Sequence, residues 1–254
     1  LAESANRELI ESQRFVKGIT DAIPGLVSYW DKDLRCRFAN KAYEAWFGRR
    51  PEDLIGMSLK DLLGERLFAL DEAHIRGALA GQGQQFERAL TKADGSIAHA
   101  LAHYVPDCVN GEVRGFFVKV SDVTALKSTQ LAFEEAQRLG QTGSWTWQAD
   151  GDVVSWSAQM YSIFGLDPAT PPPSLAEHAS IFLERDHARL SEQAALSLKT
   201  GEPYVLELLY RRPDGQQGWV EARGEAVRSV AGQITGLRGT AQEMTQRREQ
   251  QLAL

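Results

Sequence analysis

Residues 3 to 23 are polar with a sparse apolar stripe: Leu9, Val16 and Ile23 recur at sevens with Ile19 between, the spacing of a helix packing along one seam. The stripe serves either docking on the chain's own domain or a dimer seam, and Pro24 and Gly25 end the helix. From Leu26 to Asn40 the pattern changes to LVSYW, a DKD turn and RCRFAN, which predicts a hairpin of two short strands. Helical spacing returns in KAYEAWFG, where Tyr43, Trp46 and Phe47 share one face before Gly48. Pro51 to Ile55, closed by Gly56, predicts another helical turn, and Leu67 to Gly81 the next helix. QFERALTK, SIAHALAHYVP and VRGFFVKVSDV then alternate as strands across Asp94-Gly95 and Asn110-Gly111, the strongest short-range hairpin signals. Two strands, several short helices and three strands predict an α+β unit, a five-stranded antiparallel sheet with helices on one face.

Thr124 to Leu139 is a charged helical connector, with Leu126 and Phe133 seven apart. After it the order recurs. GSWTW, an ADGD turn and VVSWS form a hairpin, AQMYSIFG a helix, PATPPPS a stiff loop, and residues 175 to 200 a helical stretch. YVLELLYRR, GWVEARGEAV and ITGLRGTAQEM supply the three strands. GFFVKVSDVT at 115 to 124 is echoed by GLRGTAQEMT at 236 to 245, with one offset at both ends (236 − 115 = 121, 245 − 124 = 121), as two copies of one domain require. The expected division is a helix over 1–22, a domain over 23–124, a helical linker over 125–140, a second domain over 141–245 and the start of an output helix over 246–254.

A length of 254 residues lets each copy bury its own core, and 43% hydrophobic with 24% charged residues excludes a disordered or fibrous class. The net charge of −6 argues against a nucleic-acid partner. Cys36 and Cys108 are too few and too far apart for a disulfide framework or zinc site, which fits a cytoplasmic location. No apolar run reaches the roughly 20 residues that cross a bilayer, so no membrane insertion is expected. A start at Leu1 and a stop within a helical stretch suggest a piece of a longer protein.

FANKAYEAWFG, IRGALAG, the ADGS turn, AHYVPD and GFFVKVSDVT in the first copy resemble PAS domains, the sensory modules of histidine kinases and cyclic-dinucleotide enzymes. GSWTW, VSWSAQMYSIFGLDP, YRRPDGQQGWVEARG and GTAQEMT carry the same resemblance in the second copy. It implies a non-catalytic sensor and relay segment, most directly of a bacterial sensor histidine kinase in a two-component system, with an effector domain beyond its C-terminal end. The alternatives are a ligand-free dimerisation or protein-interaction scaffold, and a haem- or flavin-containing sensor. The second copy departs from the pattern at FLERDHARL, where a histidine and paired aspartates usually stand, and at Glu243-Met244-Thr245, which replaces Asp-Ile-Thr.

Asp122 with Thr124, and Glu243 with Thr245, are the candidate coupling residues. A carboxylate ending the last strand and a hydroxyl opening the next helix can cap that helix and pair with a cation, joining sheet to helix. The plainer reading is a helix cap alone. For a ligand pocket, Ala98, Ala100 and Ala102 match Gly218, Val220 and Ala222 on one strand face; these small residues leave room for a ligand or for bulky side chains. Tyr43, Trp46, Phe47, Tyr161 and Phe164 are the aromatic candidates beside them. Phe116, Val118 and Val120 should face the helices, and Phe117 with Lys119 outward. Gly239 and Ala241 make the second copy the roomier ligand candidate.

His74 stands where a haem-binding PAS domain could place its axial ligand, although a lone histidine on a helix edge is more often packed or solvated. His99 and His103 belong to the outer face. Cys36 precedes Arg37 but lies on a strand rather than the helix that flavin-thiol photochemistry needs, so it reads as packing. No cofactor is required by the sequence, no metal set is present, and no hydrolase, kinase or cyclase motif occurs. Asp31 with Asp33, and Asp150 with Asp152, are turn residues. A homodimer through the flanking helices is the expected assembly.

Overall fold

The computed structural model describes residues 2–175 and 177–252. It divides between Thr129 and Gln130 into two compact units. In the first, α1 (Ala2–Ala22) precedes β1 (Leu26–Asp31) and β2 (Cys36–Ala39). Three helices follow, α2 (Ala42–Phe47), α3 (Pro51–Leu54) and α4 (Leu59–Leu79), then β3 (Gln84–Thr91), β4 (Ile97–Val109) and β5 (Glu112–Asp122); α5 (Thr124–Leu139) runs across the division. The second unit holds β6 (Thr142–Gln148), β7 (Val153–Trp156), α6 (Ala158–Phe164), α7 (Glu184–Thr200), β8 (Tyr204–Arg211), β9 (Gln217–Arg228), β10 (Ile234–Glu243) and α8 (Thr245–Leu252).

Both sheets are antiparallel and wound alike, β2-β1-β5-β4-β3 and β7-β6-β10-β9-β8. The alternation of side chains builds each core. Phe116, Val118 and Val120 point inward with Ala98, Ala100 and Ala102, while Phe117 is 50% exposed on the opposite face. Trp30 and Phe116 are fully buried in the first core, and Leu208 and Val220 in the second. Burying a side chain such as Phe116 stabilises the fold by roughly 2 kcal/mol. The first helix of each hairpin-to-helix passage ends at a left-handed residue, Gly48 (φ 66°) or Gly165 (φ 67°), a backbone that glycine adopts without steric cost.

The helical regions differ from expectation in three places. α4 starts at Leu59, eight residues before the expected start (67 − 59 = 8), where the Ser58 hydroxyl caps it by accepting from Asp61 N at 3.0 Å. Gly64 (φ 73°, ψ 164°) breaks that helix near its beginning, which is why its periodicity is weak. The stretch from 175 to 200 is not one helix: a 3-10 turn at Glu177–Ser180 precedes α7. Third, the stripe of α1 does not dock along its own domain, for Leu9, Phe15, Val16 and Ile19 stay exposed. The C-terminal part of α1 is held, where Lys17 Nζ pairs with Glu52 Oε1 at 3.1 Å, Asn40 Nδ2 donates to Thr20 O at 2.9 Å and Lys41 N to Asp21 Oδ1 at 2.7 Å.

Candidate functional site

Each sheet is joined to the helix that leaves it by the same construction. In the first domain Thr124 Oγ1 accepts from His99 N at 2.8 Å, and Asp122 Oδ1 accepts from Thr124 N at 2.9 Å, so the start of α5 is bolted to the beginning of β4. Lys92 Nζ donates to Asp122 Oδ2 at 2.7 Å and lies 4.8 Å from the centre of the Trp46 ring. The hydrogen bond from Lys92 first, and then that from Thr124, lower the Asp122 pKa to about 2. In the second domain Thr245 Oγ1 accepts from Trp219 N at 2.8 Å, and Glu243 Oε1 accepts from Thr245 N at 3.0 Å and from the Thr245 hydroxyl.

The cation is where the copies part. Arg212 occupies the position of Lys92, by the offset of the Asp-Gly turns (212 − 92 = 120, 214 − 94 = 120). It donates its Nε to Ile163 O at 2.8 Å, at the carbonyl end of α6, rather than to Glu243. A second ion pair, missed in the sequence, recurs in both copies. Lys127 Nζ lies 2.8 Å from Glu87 Oε2, and Arg248 pairs with Glu207, each joining the exit helix to the third strand of its domain. The repeat offsets (248 − 127 = 121, 207 − 87 = 120) were the signal that could have found it. Arg248 also stacks 4.2 Å from the centre of the Trp219 ring.

A cavity of about 30 Å³ lies between the first sheet and its helices, with Tyr43, Phe47 and Ala102 in its wall. Trp46 and Ala100 are buried in the surrounding core. His74 is elsewhere: it stacks on Phe86 with ring centres 3.9 Å apart, and its Nδ1 is 3.1 Å from Gln84 Oε1. It does not line the cavity, which removes the geometric basis for an axial ligand there. Cys36 is fully buried and donates to Phe38 O at 3.4 Å, and burial pushes its thiol up to about 11, far from a reactive thiolate.

The second domain holds a cavity of about 60 Å³, walled by Trp145, Trp156, Phe164, His178, Phe182 and Ala222 among others. Val220 packs in the core around it, and the Tyr161 hydroxyl donates away to Thr170 O at 3.1 Å. His178 sits in the 3-10 turn at Glu177–Ser180, within the helical stretch of 175 to 200, where the sequence pattern does not single it out. Burial, and after it the charge of His187, lower its pKa to about 4, so the imidazole is neutral at pH 7. Its Nε2 has no hydrogen-bond partner among the described residues.

A family description of the PAS fold matches residues 20–128, and a second of the same fold matches residues 153–241. The chain is a tandem of two PAS domains. Relatives of this PAS tandem include a probable diguanylate cyclase DgcE of Escherichia coli strain K12, 22% identical over 217 residues, covering 82% of this chain and 20% of that protein. A blue-light-activated histidine kinase of Brucella anthropi is 25% identical over 232 residues, covering 84% of this chain and 46% of that protein. The PAS tandem thus spans less than half the length of these two relatives. Among solved structures, a sensory box histidine kinase/response regulator from Burkholderia thailandensis E264 matches 48% of this chain and 90% of its own, at 23% identity and a TM-score of 0.41. PAS domains are sensory rather than catalytic modules, and no cluster of potential metal ligands occurs among the described residues. No helix among the described residues is long and apolar enough to cross a membrane.

Proposed function

We propose that this PAS tandem is the sensory and signal-relay region of a cytoplasmic sensor histidine kinase, passing a conformational change to an effector that follows it. The observation that carries the reading is the joint built twice: a strand-end carboxylate and a threonine hydroxyl lock the first turn of an exit helix to the neighbouring strand in both domains. A helix cap needs only one bond to a free N–H. Here the carboxylate takes the N–H of the threonine that opens the helix while the threonine hydroxyl takes a strand N–H, so displacement of the strand moves the helix. Small-molecule binding in the interior of at least one domain supplies the input, and the relative of Brucella anthropi supports the kinase class.

The test replaces Asp122 and Thr124 together by Ala in the full-length protein and compares melting temperature with autophosphorylation. Loss or constitutive locking of the output beyond what the stability change accounts for supports the relay. Unchanged output in a folded variant defeats it.

A second reading, homodimerisation, is favoured by the bare stripes of the flanking helices. Phe15 is 69% exposed on α1, and Leu131 and Phe133 are exposed on α5. Sedimentation of Phe15→Glu against the parent chain tests it: a dimer that becomes a monomer supports the seam, and a chain monomeric throughout opposes it.

A further inference from the structure

The first PAS domain buries an ion pair that its twin does without. Asp71 on α4 is 2% exposed. Arg88 on β3 shares the inward face with Phe86 and Leu90, and its Nη2 meets Asp71 Oδ1. The Tyr104 hydroxyl donates to Asp71 Oδ2 at 3.2 Å, and all three residues line the first cavity. Arg88 pairs in register with Ala100, five residues past Gly95 (100 − 95 = 5), and Leu208 pairs with Val220, five past Gly215 (220 − 215 = 5). At the matching strand position the second domain therefore has a fully buried leucine, and its helix α7 contributes Leu190 to the cavity wall. The fold closes without these charges. Apolar replacement of a buried ion pair is often neutral or stabilising, so stability alone does not account for this one.

The pair is also incompletely bonded. Arg88 Nε and Nη1 have no hydrogen-bond partner among the described residues, whereas buried polar groups almost always have one, and Asp71 Oδ1 meets Arg88 Nη2 and keeps a lone pair for one further donor. The adjoining space of about 30 Å³ accommodates about one water as it stands. Asp71 and Arg88 together carry no net charge. An entering anion would leave one uncompensated charge in the core, and an uncharged molecule would not. What the site lacks is an acceptor for the guanidinium, and the carboxylate beside it can take one more donor.

We infer that the cavity of the first PAS domain takes a small uncharged amide, a lactam or carboxamide, whose C=O accepts from Arg88 and whose N–H donates to Asp71 Oδ1. This rests on the sensory reading above and names the chemistry of its ligand. The apolar remainder of the wall, with Leu26, Trp30 and Val118, suits the hydrocarbon part of such a molecule. Leu62 and Leu63 close the cavity immediately ahead of Gly64, the residue that breaks α4. Glycine's backbone freedom there is what would let the wall move back for a ligand larger than water.

The test is nitrogen-edited NMR of the whole chain. The Arg88 Nε–H signal is assigned by its loss in Asp71→Leu/Arg88→Leu, a double variant that copies the apolar chemistry of the second domain and leaves no unpaired charge. Pyrrolidinone, cyclopentanone and acetate are then titrated separately. Pyrrolidinone should shift the Arg88 signal and the Trp30 indole N–H at a concentration about tenfold lower than cyclopentanone, which lacks the donor. In the folded double variant the Trp30 shift should vanish. No shift in the parent chain, meaning a site for structural water only, overturns the inference. So does a tighter response to acetate, or a Trp30 shift that survives in the double variant. The double variant leaves both exit-helix joints intact, so failure here is distinct from failure of the relay.

Discussion

Lys92 and Asp122 face each other at 2.7 Å across the first domain, tying the end of β3 to the last residue of β5. The partners are 23% and 37% exposed, so solvent screens the pair and its contribution is about 1 kcal/mol or less. The Asp122 carboxyl is held at about 2, below its ordinary value, so its stabilisation is complete above the unfolded-state pKa near 4 and disappears as pH falls through 2. Asp122→Asn should lower unfolding free energy by about 1 kcal/mol at pH 7. In urea titrations the gap from the parent should close toward pH 2.

Removing Asp71 alone leaves the Arg88 guanidinium buried without its counter-ion. Asp71→Leu should cost about 3 kcal/mol, whereas Asp71→Leu with Arg88→Leu should lie within about 1 kcal/mol of the parent. Denaturant midpoints and slopes of the three chains check this, and equal losses in the single and double variants would contradict it.

His178 titrates in the opposite sense to a histidine in an ion pair. Its folded pKa of about 4 lies below the ordinary 6.5, so the unfolded chain binds a proton more readily. The stabilisation is complete above pH 6.5 and is lost as pH falls from there toward 4, on the order of 2 kcal/mol. His178→Phe should flatten this part of the stability profile. The imidazole signal of the parent should show no midpoint between pH 5.5 and 8 in NMR.

Arg248 does two jobs at the second exit helix, pairing with Glu207 and stacking on Trp219. Glu207→Gln removes the charge pair and keeps the stack, so it should cost no more than about 0.5 kcal/mol. Arg248→Gln loses both and should cost about 1 kcal/mol. A double-mutant cycle measures the difference.

The hairpins and the inward faces of their strands were legible because the strands alternate cleanly and Asp-Gly or Asn-Gly separates them, whereas the pairing of β1 with β5 and of β6 with β10 joins segments distant in sequence and carries no such local signal. The helical walls were less so. Gly64 interrupts the period of α4 in its first turns, and the break ahead of Glu184 carries no glycine to announce it. Asp122, Thr124, Glu243 and Thr245 could be read because the phrase containing them occurs twice. Arg88 was hidden by its own charge, since a basic residue in a strand reads as outward. Yet its two-residue spacing from Phe86 and Leu90 put it on the inner face, and the fully buried Leu208 at the matching position says the same. His74 had the right residue type for an axial ligand but the wrong neighbours, Phe86 and Gln84.

Lys92 reaches the strand end from which α5 departs, whereas Arg212 at the same post reaches the carbonyl end of α6. α6 carries Phe164, part of the wall of the second cavity. The turn after the third strand therefore answers to the outgoing helix in one domain and to the chamber wall in the other. Redirecting one cationic side chain is enough to fasten the same turn of a duplicated module to a different wall in each copy.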